Sequence, residues 1–296
     1  MIETKPPRPK IRSVRAVINT KAGGVDPRAA EQLEEMLASF GVRAELAATD
    51  PDGVEEALSA AVAARPDVLI VLAGDGTAGR AAQLCGPDGP LLVPLPGGTM
   101  NMLPRALYGA KSWQEALTDC LERGRPRVVS CGDVGGRHFY CAAILGAPAL
   151  WQRAREAARR SDLRAAWDAA VFAFRRAFTT RVRFQAEGYP KHRFVAVGLI
   201  CPLVSRTAER EESLEAAGLN ADGFSKVLGL ALSNLLGDWR ADSSVTVEPC
   251  LRGRAWARRR IPCLIDGELN WLDRTTDIRF IREAFRALAP PAEPTS

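Results

Sequence analysis

Two rhythms of apolar and polar residues follow one another along this chain. Up to residue 127, short strand-like runs at 14–19, 42–47, 67–72 and 91–95 alternate with stretches such as 29–40 and 52–64. In the first of those stretches Leu33, Met36, Leu37 and Phe40 recur at three- and four-residue spacing. The runs read as strands and the recurring positions as helices. After Asp67, the run Val68-Leu69-Ile70-Val71-Leu72 shows no alternation, as expected of a strand covered on both faces. Further helices are expected over 78–85 and after residue 101. Strand alternating with helix predicts an α/β domain with a parallel sheet over 13–127. The segments 128–134, 138–145, 182–186, 193–201, 244–251 and 261–265 then read as strands, most without helices between them. An antiparallel β-sandwich is expected over 128–287, with a helical insert at 148–178. The flanks, 1–12 and 288–296, read as a disordered leader and tail.

Composition narrows the function classes. With 47% hydrophobic and 25% charged residues, a disordered or collagen-like chain is excluded. No run reaches the ~20 apolar residues of a spanning helix. The opening MIETKPPRPKIRS carries acid and proline where a secretory signal needs an apolar core, so a cytoplasmic protein is expected. Seven cysteines without a C-x-x-C pair point to free, mostly buried thiols. Two histidines, His138 and His192, argue against a zinc site or a Ser-His-Asp hydrolase and leave acid–base work to carboxylates or lysines. The net charge of +5 is uneven: residues 1–128 hold 15 Lys and Arg against 16 acids, the remainder 25 against 19. The second part is the one expected to meet something anionic.

Two glycine-rich segments carry the chemistry. Gly74-Asp75-Gly76-Thr77-Ala78-Gly79 follows a strand and opens a helix, matching G-x-G-x-x-G. A dinucleotide fingerprint would also need an acid ~20 residues on, where this chain has Val93-Pro94-Leu95-Pro96. Taken with residues 97–101, the segment instead suggests two turns at one sheet edge that bring bare N–H groups against phosphate oxygens. Thr77 and Thr99 would add hydroxyls and Asn101 an amide. Asp75 among phosphates would need a metal, a proton or a catalytic role. The competing reading is that the glycines only make tight turns and Asp75 caps the helix that follows.

Ala73-Gly74-Asp75-Gly76-Thr77 resembles the Gly-Gly-Asp-Gly-Thr loop of the diacylglycerol kinase catalytic-domain family, whose relatives include sphingosine and ceramide kinases. Leu95-Pro96-Gly97-Gly98-Thr99-Met100-Asn101 is similar to that family's second nucleotide loop, and Asn19-Thr20-Lys21-Ala22-Gly23-Gly24 to its opening turn. Ile265-Asp266-Gly267-Glu268 matches its Asp-Gly-Glu turn. The resemblance implies an α/β nucleotide domain followed by a β-sandwich, with the active site in the cleft between them. It implies ATP and Mg²⁺ as cofactors, with Asn19, Lys21, Thr49, Gly74, Asp75, Gly76, Thr77, Gly97, Gly98, Thr99 and Asn101 binding the nucleotide. Asp75, Asp266 and Glu268 would share the general-base role and magnesium handling, Asp75 being the catalytic metal ligand. For residues 266–268 the alternative is an ordinary Asp-Gly hairpin turn.

The chain departs from the family pattern in three places. Ala73 replaces a glycine, a modest change if φ is negative there, and Ala78-Gly79-Arg80 gives the following helix an atypical face. Ala221-Asp222-Gly223-Phe224-Ser225-Lys226 corresponds to a segment that holds a structural magnesium ion in bacterial members; only Asp222 survives, and Lys226 cannot ligate a cation. That metal site is expected to be absent. Residues 151–183 place nine arginines against Glu156, Asp162 and Asp168, with Trp151, Leu163, Trp167, Val171, Phe174 and Phe178 as an apolar stripe. Such a helix either packs on the sandwich or lies in an anionic lipid interface. The expected partner is a lipid substrate at a membrane surface, with the protein cytoplasmic and peripheral on the inner face. Nucleic acid is not expected, and a homodimer is left open. The resulting expectation is a lipid kinase that moves the γ-phosphoryl group of ATP to a diacylglycerol-like hydroxyl. An NAD kinase and a catalytically weak nucleotide-binding regulator are the alternatives.

Overall fold

The computed structural model describes residues 11–146, 149, 181–205, 212–220 and 245–291. The basic stretch at 151–180 and the segment around Asp222 lie outside the described residues. The chain divides into two units, one of residues 1–130 and 283–296, the other of residues 131–282. The C-terminal end therefore returns to the first unit, where the sequence pattern placed everything up to residue 287 in the second.

The first unit is an α/β layer structure built on β1 (Val14–Asn19), β2 (Ala44–Thr49), β3 (Val68–Ala73) and β4 (Leu91–Pro96). These strands lie parallel in the order β2-β1-β3-β4. All six residues of β3 are buried, in keeping with its unbroken apolar run. The connecting helices are α1 (Ala29–Ser39), α2 (Val54–Ala63), α3 (Asp75–Cys85), α4 (Met102–Tyr108) and α5 (Trp113–Arg123). α1 buries Leu33 and Leu37. A reciprocal capping box between Ser112 and Glu115 starts α5. Beyond β4, the end of β16 (Thr275–Ala289) adds a parallel strand, Ala287 opposite Leu92. It is sealed in by Tyr108 and Cys120, which donate to the Leu288 carbonyl. Burial pushes the Cys120 thiol up to about 12.

The second unit is an antiparallel sandwich. One sheet has six strands in the order β12-β11-β10-β7-β14-β15. They are β7 (Ala142–Gly146), β10 (Ala196–Ile200), β11 (Leu214–Leu219), β12 (Val245–Cys250), β14 (Ile261–Ile265) and β15 (Glu268–Leu272). The other sheet carries the first part of β16 beside β13 (Arg252–Trp256), β8 (Val182–Ala186) and β9 (His192–Phe194). β5 (Arg125–Val134) and β6 (Arg137–Phe139) form a hairpin with Gly132 opposite Phe139. The two sheets share a core of Phe139, Leu145, Phe184, Phe194, Val197, Ile261 and Ile278. All seven cysteines are free and buried. Among the described residues, no helix is long and apolar enough to cross a membrane.

Candidate functional site

In the first unit the chain runs from β1 to β2 on one side and then to β3 on the other, so the connections diverge between β1 and β3. In open α/β sheets such a divergence, at the carboxyl ends of the strands, is where ligands bind. Asn19, Thr49, Ala73 and Pro96 end their strands at this edge.

Three glycine-bearing loops meet there. The Gly24 N–H donates to the Gly97 carbonyl at 2.9 Å, and the Gly97 N–H to the Ala73 carbonyl at 3.0 Å. A Cβ on Gly98 would stand 2.8 Å from the Gly74 Cα, and one on Gly97 2.8 Å from the Ala73 nitrogen. A Cβ on Gly24 would meet the Gly97 and Gly98 carbonyl oxygens at 3.1 Å. These glycines let three backbones touch, which any side chain would prevent.

Asp75 locks two of the loops together. One carboxylate oxygen accepts from the Asn101 N–H at 2.8 Å and the other from the Met102 N–H at 2.5 Å. Asp75 is the first residue of α3, yet it caps α4 and leaves the start of α3 without a side-chain cap. The helix therefore begins inside the glycine loop, three residues before the sequence pattern placed it. Its first N–H groups, those of Asp75, Gly76 and Thr77, have no partner within the helix by construction. Asn101 sits in the left-handed region, φ 51°, and turns its amide back onto its own loop: Oδ1 accepts from the Gly98 N–H and Nδ2 donates to the Gly98 carbonyl.

The remaining first-unit candidates line the same edge. Asn19 Oδ1 accepts from the Lys21 N–H, shaping the turn and leaving the Lys21 side chain exposed. Thr49 accepts from the Thr20 N–H and hydroxyl through its carbonyl. Thr99 is exposed, its hydroxyl oxygen 3.8 Å from where a Gly23 Cβ would sit. Gly23 and Gly24 were missed as site residues, although the glycine pair closing the 19–24 turn was the signal available. Ala73 has a negative φ, so its replacement of glycine costs no strain. Arg80 leaves the core and pairs with Glu55 on α2, donating from Nε at 2.9 Å.

In the second unit, residues 266 and 267 form a two-residue hairpin joining β14 and β15, with φ of 41° and 88°. Positive φ at both positions marks the twist-compatible Asp-Gly turn. The Asp266 carboxylate accepts from three consecutive backbone N–H groups, Tyr140 at 2.7 Å and Cys141 and Ala142 at 2.9 Å. Its grip falls at the gap between β6 and β7, splitting what the sequence presents as one strand over 138–145. Glu268, opposite Ile265, is exposed.

Residues 13–134 match the model of the diacylglycerol kinase catalytic domain. Among solved structures, the chain resembles crystal structures from Bacillus anthracis str. Sterne that are assigned as diacylglycerol kinases. One is 18% identical with a TM-score of 0.73, another 17% identical with a TM-score of 0.69. Each match covers 96% of this chain and 99% of the other. At that identity the likeness shows a common fold. No curated protein matches the chain.

Proposed function

We propose that this protein, whose residues 13–134 match a diacylglycerol kinase catalytic domain, transfers the γ-phosphoryl group of ATP to a hydroxyl of a diacylglycerol-like lipid. The observation that carries the reading is the convergence of the 23–24, 73–77 and 97–101 loops at the divergence point of a parallel sheet. Bare glycine backbone beside the open start of an eleven-residue helix suits a polyphosphate, because N–H groups and the helix dipole both favour anions. Lys21 and Thr99, both exposed, add a cation and a hydroxyl donor to the phosphates; Asn19 and Thr49 shape the loops around them.

The donor set also fits magnesium, which is commonly held by one or two carboxylates together with substrate phosphates. Asp75 would hold it, and the ion would neutralise charge on the β- and γ-phosphates. Each Asp75 oxygen accepts one N–H bond, and a carboxylate oxygen has a second lone pair to offer. The clamp fixes where that charge stands. In the second unit we assign proton acceptance from the lipid hydroxyl to Glu268, which is exposed, and a positioning role to Asp266, whose carboxylate organises the backbone at 140–142. A hydroxyl attacks phosphorus well only as a carboxylate takes its proton, and the transferring group needs N–H and cationic stabilisation. The protein would act at the cytoplasmic face of a membrane, where such acceptors lie.

The test supplies ATP labelled at the γ-phosphate together with dispersed lipid extract and with NAD. Label in the lipid phase supports this reading; label in NADP identifies an NAD kinase; nucleotide binding without transfer identifies a regulator. Asp75→Ala should abolish transfer while the protein remains folded by circular dichroism. Thr99→Val should mainly raise the KM for ATP.

A further inference from the structure

One face of the second unit carries charges that do not balance. Val182, Phe184, Ala255 and Ile278 point into the sandwich core, so Arg183, Arg252, Arg254, Trp256 and Arg279 occupy the opposite face of β8, β13 and β16. The register sets Arg254 opposite Asp277, and Arg254 Nε donates to Asp277 Oδ1 at 2.6 Å. One pair further along, Arg252 stands opposite Arg279. On β8 and β9, Arg183 stands opposite Arg193. Like charges placed directly across strands oppose pairing. Among the described residues, no carboxylate forms an ion pair with any of these four arginines. Lys191 lies over the Trp256 ring at 4.6 Å, and Tyr189, 36% exposed, sits at the β8–β9 turn. Six exposed cations thus share the face with Asp277 and Glu187.

We infer that this face docks the protein on a lipid surface bearing anionic headgroups, a contact that rests on the reading of the acceptor as a lipid. A broad sheet face with repeated, unneutralised arginines matches a layer of phosphates, and each lysine or arginine near such a layer adds attraction. Trp256 and Tyr189 are the residue types that settle at headgroup depth. Nucleic acid fits less well: stacking successive bases needs open aromatic rings, and the Trp256 ring is covered by Lys191. An anionic surface would turn the Arg252–Arg279 and Arg183–Arg193 repulsions into shared attraction.

Co-sedimentation tests this without ATP, using vesicles of phosphatidylcholine alone or mixed equally with phosphatidylglycerol. The wild type should bind only the mixed vesicles, and less so as the screening length falls from ~10 Å at 0.1 M salt to ~3 Å at 1 M. The double variant Arg252→Gln/Arg279→Gln should bind at least tenfold more weakly. Asp277→Asn should bind more tightly, a direction that misfolding does not produce. Arg279→Glu should lose vesicle binding while raising the thermal unfolding midpoint, because it converts a repulsive cross-strand pair into an attractive one. Wild-type binding by the double variant, equal binding to neutral vesicles, or displacement of mixed vesicles by duplex DNA or RNA at equal charge would overturn the inference. Labelling of lipid in detergent micelles separately tests the acceptor: failure there with intact vesicle binding removes the lipid-kinase reading and keeps the docking face.

Discussion

Gly74 and Gly98 face each other across the candidate nucleotide site, and their tolerance for a methyl group differs. A Cβ on Gly74 would meet the Gly98 Cα at 3.9 Å, an ordinary contact, and its φ of −79° suits any residue. A Cβ on Gly98 would press on the Gly74 Cα at 2.8 Å, backbone against backbone. Gly98→Ala should therefore cost ~1–3 kcal/mol as the loops are forced apart and should weaken ATP binding sharply. Gly74→Ala should leave the unfolding free energy nearly unchanged. Denaturant titration and nucleotide titration of both variants check the asymmetry. Asp75 shows how the same residue answers to two accounts. The sequence poses a choice between a helix cap and a phosphate-site carboxylate, and the structure shows a cap on the neighbouring helix, each carboxylate oxygen accepting one N–H bond.

At the scale of elements, the β14–β15 hairpin is held from outside by its own turn residue. Asp266→Ala would remove the carboxylate that accepts from the three N–H groups at 140–142 and should cost ~1–3 kcal/mol or more; Asp266→Asn, with one amide oxygen, should fall between. Thermal melts of the two variants, read with turnover, separate this positioning role from direct chemistry. Asp67, at the entrance of β3, accepts from the Arg12 and Ser13 N–H groups, which hold its carboxyl below the usual 3.8. Asp119 is held low in the same way by Lys111 and then Arg123. A folded value below the unfolded one stabilises fully at neutral pH and fades as pH falls through the folded value. The melting temperature should drop below about pH 4, and less steeply in Asp67→Asn. The strands β3 and β4 were legible because their apolar runs are unbroken, and β1 because Arg15 alone interrupts the run from Val14 to Ile18. β11 was not, since Leu214-Glu215-Ala216-Ala217-Gly218-Leu219 is composed of residues that favour helices or weaken strands. β13 and β16 were hidden by outward arginines, and the break within the 138–145 strand by its cause, a carboxylate more than a hundred residues away.

At the scale of the whole molecule, domain order along the chain and membership in the two units are different things. The matched domain ends at residue 134, yet the first unit also takes residues from 283 onward. Alternation of strand and helix announced the parallel sheet; nothing in Ile281-Arg282-Glu283-Ala284-Phe285-Arg286-Ala287 announced a strand belonging to it, because that run also suits a helix. A protein ending at residue 282 would leave Tyr108, Cys120 and the β4 edge uncovered. Amide hydrogen exchange in β3 and β4 should then speed up markedly, while β10 and β14 keep their protection. The late strand also sets a timetable. Emerging from a ribosome, the half that carries the candidate phosphate site is synthesised first but cannot complete its sheet until residues 283–289 follow, so during translation the sandwich strands made before them are free to pair while the earlier half still waits.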